Sequence, residues 1–423
     1  MASSARLRQA KSVAIVSSGN FLEMYDFMVF GYYASAISKA YFPAASEFAS
    51  LMLTLMTFGA GFLMRPVGAL FLGAYIDRHG RRRGLIVTLS LMALGTLIIA
   101  VTPGYATLGL VAPILVVVGR LVQGFSAGVE LGGVSVYLAE IAPAGKKGFY
   151  VAWQSASQQA AVVFAALIGL VTNTVLGRDE MAAWGWRVPF LVGCLLVPFL
   201  LIMRRRLEET AAFKAQTFRP DLRAVCDTLL ANWKIVARGV MLVVTTTVFF
   251  YMITAYTPTY GSNVLHLGIR ESFIVTLCVG LLNFVLLPTM GAVSDRVGRL
   301  TLLIGASIVG LLTGYPMMRW LVSDPGFGRL MIVLLYFATV YAAYNGAMVA
   351  YLTEIMPAYV RTTGFSIAYS LATALFGGFT PAIATYLIGA TGDRAIPGAW
   401  LMTAALIGLL SALSFAIGRR RYS

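Results

Sequence analysis

Five ionisable side chains lie well inside long apolar stretches of this sequence. They are Glu23, Asp26, Arg65, Arg120 and Glu130. A charge inside hydrocarbon is costly, so an ionisable residue in such a stretch is a candidate for function by default. All five belong to the first half of the chain, and the second half has none at comparable depth.

Four of these residues are expected at one level, because each apolar stretch is read as a helix that rises about 1.5 Å per residue. Glu23 and Asp26 then lie roughly 16–21 Å from the start of their helix. Arg65 and Glu130 lie at a similar distance from the ends of theirs, which places all four near the middle of a bilayer. Arg120 must lie closer to the outer surface.

The buried charges do not balance, because three carboxylates accompany two guanidiniums and arginine does not lose its proton in practice. The unpaired carboxylate is expected to take up a proton rather than stay charged in a low dielectric. A carboxyl group that takes a proton on one side and releases it on the other is a proton carrier. We predict proton coupling for Glu23, Asp26 and Glu130 with Arg65, and Glu23 and Asp26 could share one proton. The alternative is a static network that closes an inner gate.

Arg120 has two possible tasks. Its planar fork suits a carboxylate, which makes it a candidate clamp for an anionic substrate; alternatively it only pairs with Asp26 or Glu23. Gln123 shares its helix face. Further candidates for a substrate cavity are uncharged, and helix-to-helix hydrogen bonds are the competing explanation for each of them. They are Asn20, Gln154, Ser157, Gln158, Thr247, Tyr251, Thr254, Tyr256, Asn283, Tyr344 and Asn345.

A polar loop occurs twice. The segment Gly73–Arg82 (GAYIDRHGRR) returns 218 residues later as Gly291–Arg299, and Tyr137–Pro143 returns 214 residues later as Tyr351–Pro357. Two unlike motifs at nearly one spacing indicate two copies of one unit. The loop residues suit a gate, because glycines permit close helix approach, aspartate can cap a helix end and arginines engage carboxylates or lipid phosphate. The predicted gating residues are Gly73, Asp77, Arg78, Gly80, Arg81, Arg82, Asp295, Arg296 and Arg299.

The elements that position these residues follow from composition. The chain has 423 residues, of which 59% are hydrophobic and 12% charged, against about 25% charged in a soluble protein. A bilayer-spanning helix needs roughly 20 apolar residues. The sequence therefore predicts an all-α membrane protein with about twelve transmembrane helices in two pseudo-symmetric six-helix bundles. The predicted spans are 12–37, 50–76, 84–103, 109–142, 148–173, 186–204, 236–260, 272–294, 299–322, 329–356, 362–390 and 397–418.

Three segments make up this organisation. Residues 1–205 form the first bundle, 206–235 a cytosolic linker with an amphipathic helix, and 236–423 the second bundle. Of the 32 lysines and arginines, 23 fall on the side that contains the N-terminus and only seven on the other. Cytoplasmic loops carry this excess, so both termini are expected in the cytoplasm. The net charge of +15 therefore reflects topology and not a nucleic-acid surface.

Enzyme chemistry and bound metals are not expected. The three cysteines are isolated and the two histidines lie in loops, so no metal-ligand spacing exists. No nucleophile–base pair is present either, which argues against an enzyme. We expect no cofactor.

The repeated loop and several further runs of residues resemble those of a known family. The repeated loop resembles the signature of the major facilitator superfamily, and Asn20–Phe27, Arg65–Ala69 and Leu207–Thr210 are similar to its metabolite–proton symporter branch. Three longer runs resemble the citrate–proton symporters and their tricarballylate-carrying relatives: Gly119–Tyr137, Trp153–Gln159 and Tyr344–Met348. The second loop copy departs from the pattern, since Leu300 stands where a further basic residue is common.

The resemblance implies proton-driven import of a tricarboxylate by alternating access, in the inner (plasma) membrane of a bacterium. The implied partners are a small carboxylate, protons and the lipid bilayer, and we expect a monomer. A tricarboxylate carries about three negative charges near pH 7. Because only two arginines are buried, either several protons must accompany it or the substrate must be partly protonated. Alternative cargoes are another carboxylate such as a dicarboxylate or shikimate, or a zwitterion such as betaine or proline. A nutrient sensor that signals through residues 204–234 is the alternative from another class.

Overall fold

The computed structural model describes residues 19–79, 81–128, 130–205, 222–356 and 361–420. These ranges contain helices and no β-strand. The first half forms α1 (Gly19–Tyr32), α2 (Ala34–Tyr41), α3 (Glu47–His79), α4 (Arg81–Val101), α5 (Tyr105–Leu108), α6 (Val111–Ala127), α7 (Glu130–Ile141), α8 (Lys147–Val175), α9 (Arg178–Ala183) and α10 (Val188–Arg205). From Leu222 onward the chain forms α11 (Leu222–Ala231), α12 (Trp233–Ile253), α13 (Thr257–Thr259), α14 (Ile269–Val297), α15 (Arg299–Ser323), α16 (Phe327–Ile355), α17 (Arg361–Ala372), α18 (Thr380–Thr391) and α19 (Pro397–Arg420).

Each of the twelve predicted spans has a helical counterpart, and the all-α membrane fold of two bundles is confirmed. Within the described ranges, nine spans are long and apolar enough to cross a membrane, and Ile86–Val101 and Gly185–Pro198 are shorter apolar helices. Two spans are less regular than predicted. The fourth consists of α6 and α7 in succession, and the eleventh contains a π-helical turn at Thr373–Gly377 between α17 and α18.

Helices α3 and α6 touch through their backbones. A Cβ atom on Gly124 would overlap the carbonyl oxygen of Gly61, and one on Gly68 would overlap that of Phe125. Only glycine permits such an approach. This contact sets the two helices that carry Arg65 and Arg120 side by side.

The two halves meet along α8 and α14. At one end Gly148 lies against Gly291, and at the other Gly169 lies against the ring of Phe273. We call these the Asp295 end and the Arg270 end, after a polar residue of α14 at each. At the Arg270 end the Arg270 Nε also donates to the carbonyl of Asn173 at 2.9 Å. The two halves therefore contact each other at both ends, and both ends are closed.

Candidate substrate and proton site

A small cavity lies between the halves, midway between the two closed ends. It is lined by Met24, Arg65, Leu131, Gln158, Thr247, Phe250, Tyr251, Tyr369 and Thr373. Its free space holds about one water molecule. The conformation is therefore occluded, with polar groups from both halves facing one enclosed space.

Arg65 and Glu23 form a buried ion pair at this cavity. The Arg65 Nη2 lies 2.6 Å from the Glu23 Oε1, and the side chains are 1% and 5% exposed. The guanidinium also lies over the rings of Phe27 and Phe62, with its central carbon 4.8 and 4.6 Å from the ring centroids. The contact agrees with the common depth expected for Glu23 and Arg65.

Arg120 also contacts the rings of Phe27 and Phe62, but it does not line the cavity. Its central carbon is 4.4 Å from the centroid of Phe27 and 4.6 Å from that of Phe30. It is fully buried, and among the described side chains, which exclude Glu130, no carboxylate oxygen lies within 4.0 Å of it. Its role as a substrate clamp stays a prediction.

A chain of hydrogen bonds connects Arg120 with Asp26. The Arg120 Nη1 donates to the Gln123 Oε1 at 2.8 Å, and the Gln123 Nε2 donates to the Thr96 Oγ1 at 3.0 Å. The Thr96 hydroxyl in turn donates to the Asp26 Oδ2. Asp26 faces α4 and α10, because a Cβ on Gly193 of α10 would lie 2.8 Å from its Oδ1. Glu23 and Asp26 are one turn apart but contact different partners.

The uncharged candidates separate into two groups. Gln158, Tyr251 and Thr247 line the cavity. Tyr256 and Tyr344 do not, since the first shares a hydrogen bond with the Thr385 hydroxyl at 2.8 Å and the second donates to a backbone carbonyl of α12 at 2.8 Å. These two tyrosines therefore connect helices of the second half in this conformation.

The remaining candidates lie away from the cavity lining. Ser157 donates to the backbone carbonyl of Gln154 at 2.7 Å, and the Gln154 side chain accepts from Ser155. Thr254 likewise bonds to its own helix, through the carbonyl of Phe250. Three buried asparagines have side-chain amides without a hydrogen-bond partner among the described residues: Asn20, Asn283 and Asn345.

Sequence reasoning missed several functional candidates. Tyr369 and Thr373 line the cavity from the eleventh span, and Thr96 of α4 connects Gln123 with Asp26. Their only signal is a hydroxyl within an apolar stretch. Such residues are common in membrane helices, where they often bond to their own backbone.

The second copy of the repeated loop caps a helix of the other half. The Asp295 Oδ1 accepts from the backbone N–H of Gly148 at 2.8 Å, and its Oδ2 from that of Phe149 at 3.0 Å. Arg299 donates to the same carboxylate at 2.6 Å and lies 3.4 Å from Glu354. A carboxylate at a helix N-terminus is stabilised by the helix dipole. This contact closes the Asp295 end, and Arg296 is exposed beside it.

The first copy of the loop cannot be compared in the same way. Gly80 and the side chains of Asp77, Arg78, Arg81 and Arg82 lie outside the described part of the chain, as does the side chain of Glu130. The backbone of Gly73 belongs to α3. The gating role of these residues stays a prediction.

Two helical bundles that enclose a polar cavity at mid-length define a membrane transporter. The family model of the Major Facilitator Superfamily matches residues 16–381, and the chain belongs to this family. The resemblance seen in the sequence is thereby confirmed.

Relatives and solved structures agree with this assignment. The chain is 60% identical over 394 residues to the citrate–proton symporter of Salmonella typhi, covering 93% of this chain and 91% of that one. It is 32% identical over 397 residues to the alpha-ketoglutarate permease of Escherichia coli K12, covering 92% and 89%. The xylose transporter XylE of E. coli, in a partially occluded inward open conformation, superposes with a TM-score of 0.76 over 95% of each chain at 17% identity. The relatives are transporters, so the prediction that the chain is not an enzyme is confirmed.

Proposed function

We propose that this protein is a proton-coupled symporter that imports a tricarboxylate such as citrate or tricarballylate. The observation that carries the proposal is the donor set of the occluded cavity. It combines the Arg65 guanidinium and the Gln158 amide with four hydroxyls, those of Thr247, Tyr251, Tyr369 and Thr373. Such a set suits an anion with several carboxylates. The 60% identity to a citrate–proton symporter supports the same cargo.

The proposed setting is the inner membrane of a bacterium, with the protein a monomer that spans the bilayer and has both termini in the cytoplasm. The excess of lysine and arginine near the Asp295 end supports this orientation. Transport then proceeds by alternating access, in which the Asp295 end opens to the cytoplasm and the Arg270 end to the outside. The division into residues 1–205, 206–235 and 236–423 belongs to this proposal.

Uptake of labelled citrate into proteoliposomes, with and without an imposed pH gradient, tests the function. We expect accumulation only with the gradient, and inhibition by unlabelled tricarballylate. Inhibition by betaine or proline, with none by tricarballylate, would instead assign a zwitterion as the cargo. Inhibition by alpha-ketoglutarate alone would assign a dicarboxylate. Binding without any uptake would support the sensor alternative.

Asp295→Asn is expected to weaken the closure of the Asp295 end. The variant removes a buried charge that the α8 N-terminus stabilises by up to about 2 kcal/mol. The open population should therefore rise by roughly 5- to 30-fold. The measurement is the alkylation rate of a cysteine placed at Leu131, in a background without the native cysteines, by an impermeant reagent applied from that end. Asp324→Asn, an exposed carboxylate at the far end, is the control, and equal rates in both variants would contradict the prediction.

Thr96→Val is expected to slow gradient-driven uptake about tenfold. The valine has nearly the shape of threonine but cannot connect Gln123 with Asp26, and one lost hydrogen bond to a charged group corresponds to about 1.5 kcal/mol or more. Thr96→Ser restores the hydroxyl and should retain most of the rate. The readout is the initial rate of citrate uptake against the size of the pH gradient. A serine variant as slow as the valine variant would show that packing, and not the hydroxyl, matters here.

A further inference from the structure

The cavity offers one described cation to an incoming anion, and this cation is already occupied. Among the described lining residues, Arg65 alone carries a positive charge, and its Nη2 contacts Glu23 at 2.6 Å. The guanidinium packs against the rings of Phe27 and Phe62, which restrict its orientation. Its Nε makes no hydrogen bond with any described residue, so the fork retains a free donor.

The pair of Glu23 and Arg65 is neutral as it stands. A substrate carboxylate that approaches Arg65 would place two anions on one cation, in a space that holds about one water molecule. Burial of an uncompensated charge is strongly unfavourable. The anion can therefore bind Arg65 only when Glu23 has become neutral, and the smallest change that achieves this is the uptake of one proton.

We infer that Arg65 is the residue that binds a carboxylate of the substrate, and that Glu23 is the carboxylate it exchanges for the substrate. This inference rests on the proposed function and assigns its coupling to one pair of residues. The proton on Glu23 and the anion on Arg65 then bind cooperatively. The proton neutralises the carboxylate that competes for Arg65, and the anion replaces that carboxylate as the partner of the guanidinium. Release of either one to the cytoplasm favours release of the other, and the ion pair forms again.

The other ionisable groups around the pair are compatible with this exchange. Tyr251 of α12 and Tyr369 of α17 share the cavity with Arg65 and carry no charge when protonated. Asp26 lies one turn along α1 but receives its hydrogen bond from Thr96 on α4. Arg120 contacts the Phe27 ring but lies outside the cavity lining. Glu130 begins α7, and its side chain lies outside the described part.

The wild-type protein provides the first test. Tricarballylate is titrated into purified protein at pH 8, where the probe is fully ionised, in buffers with different ionisation enthalpies. Calorimetry then counts the protons taken up with the ligand. We expect about one proton or more per bound anion, because a group that is ionised before binding must be neutral afterwards. Binding without proton uptake would overturn the inference.

Variants identify the group that takes the proton. The wild-type affinity should fall about tenfold per pH unit in the range where Glu23 is ionised before binding and protonated afterwards. Glu23→Gln resembles the protonated acid. Its affinity for tricarballylate should therefore lack this tenfold dependence on pH. It should also exchange substrate without driving its accumulation. Glu47→Gln, which replaces an exposed carboxylate, is the control and should keep the wild-type slope. Because the same probe is used throughout, its own ionisation cancels from the comparison.

A double variant guards against misfolding of the single one. Glu23→Gln combined with Arg65→Gln removes both charges of this ion pair together, so neither is left without the other, and the double variant should fold. We expect it to bind no tricarballylate at any pH. Tight binding by the double variant would overturn the inference, as would a wild-type slope in Glu23→Gln. Failure of the wild-type protein to bind any tricarboxylate would instead refute the proposed function, so the two failures are distinguishable.

Discussion

Arg120→Met is expected to abolish gradient-driven accumulation of the substrate, by about 100-fold or more, while the protein stays folded. Arg120 is buried among aromatic rings with no described carboxylate within 4.0 Å. Burial of a charge that has no carboxylate partner among the described residues is itself unfavourable, and methionine removes that cost, which offsets the hydrogen bonds lost at Gln123 and Phe58. The thermal midpoint should therefore not fall. Transport should fail because the hydrogen-bond chain to Asp26 loses its cationic end.

Substrate binding separates the two roles considered for Arg120. Because Arg65 and not Arg120 lines the cavity, Arg120→Met should bind tricarballylate within about threefold of wild type, which corresponds to less than about 1 kcal/mol. Arg120→Lys keeps the charge but loses the planar fork, so it should also transport poorly. Arg319→Met, at a residue exposed to 67%, is the control. Lost binding in Arg120→Met would restore this residue as the substrate clamp, and intact accumulation would show that it is structural.

Gly124→Ala is expected to have the largest effect on folding. The added methyl group would overlap the carbonyl oxygen of Gly61, which belongs to the backbone of a neighbouring helix and cannot rotate away. Forced overpacking costs about 1–3 kcal/mol, occasionally more, and a clash with backbone places this site at the upper end. The helices must separate, which also moves Arg65 relative to Arg120.

Gly133→Ala provides the matched control for that substitution. An added Cβ atom there meets no other atom within 4 Å, so the thermal midpoint should be unchanged or slightly raised by the better helix propensity of alanine. Midpoints of the purified variants in one detergent give the comparison. Similar midpoints for the two variants would show that α3 and α6 are not packed as closely as described here.

The sequence predicted how deep a residue lies along its helix, but it did not predict toward which neighbouring helix the side chain points. Apolar length located all twelve spans, and counting along the helices placed Glu23 and Arg65 at one level, where they meet. Periodicity also placed Gln123 beside Arg120. These properties depend on one helix at a time, so a single sequence contains them.

The rotation of each helix against its neighbours could not be predicted. The sequence left Arg120 either as a substrate clamp or as a partner of Asp26 or Glu23, and it did not predict the rings of α1 and α3 that surround this residue. The glycine contacts between α3 and α6 bring the α3 rings to Arg120. Tyr344 has the same chemical type as Tyr251, yet it points to a carbonyl within its own half. The choice between lining a cavity and bonding to a neighbouring helix is a property of the assembled bundle.

The ring of Phe27 contacts both arginines, with its centroid 4.8 Å from the central carbon of Arg65 and 4.4 Å from that of Arg120. The same helix, α1, carries Glu23 and Asp26. Any displacement of α1 therefore alters the surroundings of both cations and both acids in one movement. Movement of α1 thus couples the Glu23–Arg65 pair mechanically to the hydrogen-bond chain from Arg120 to Asp26.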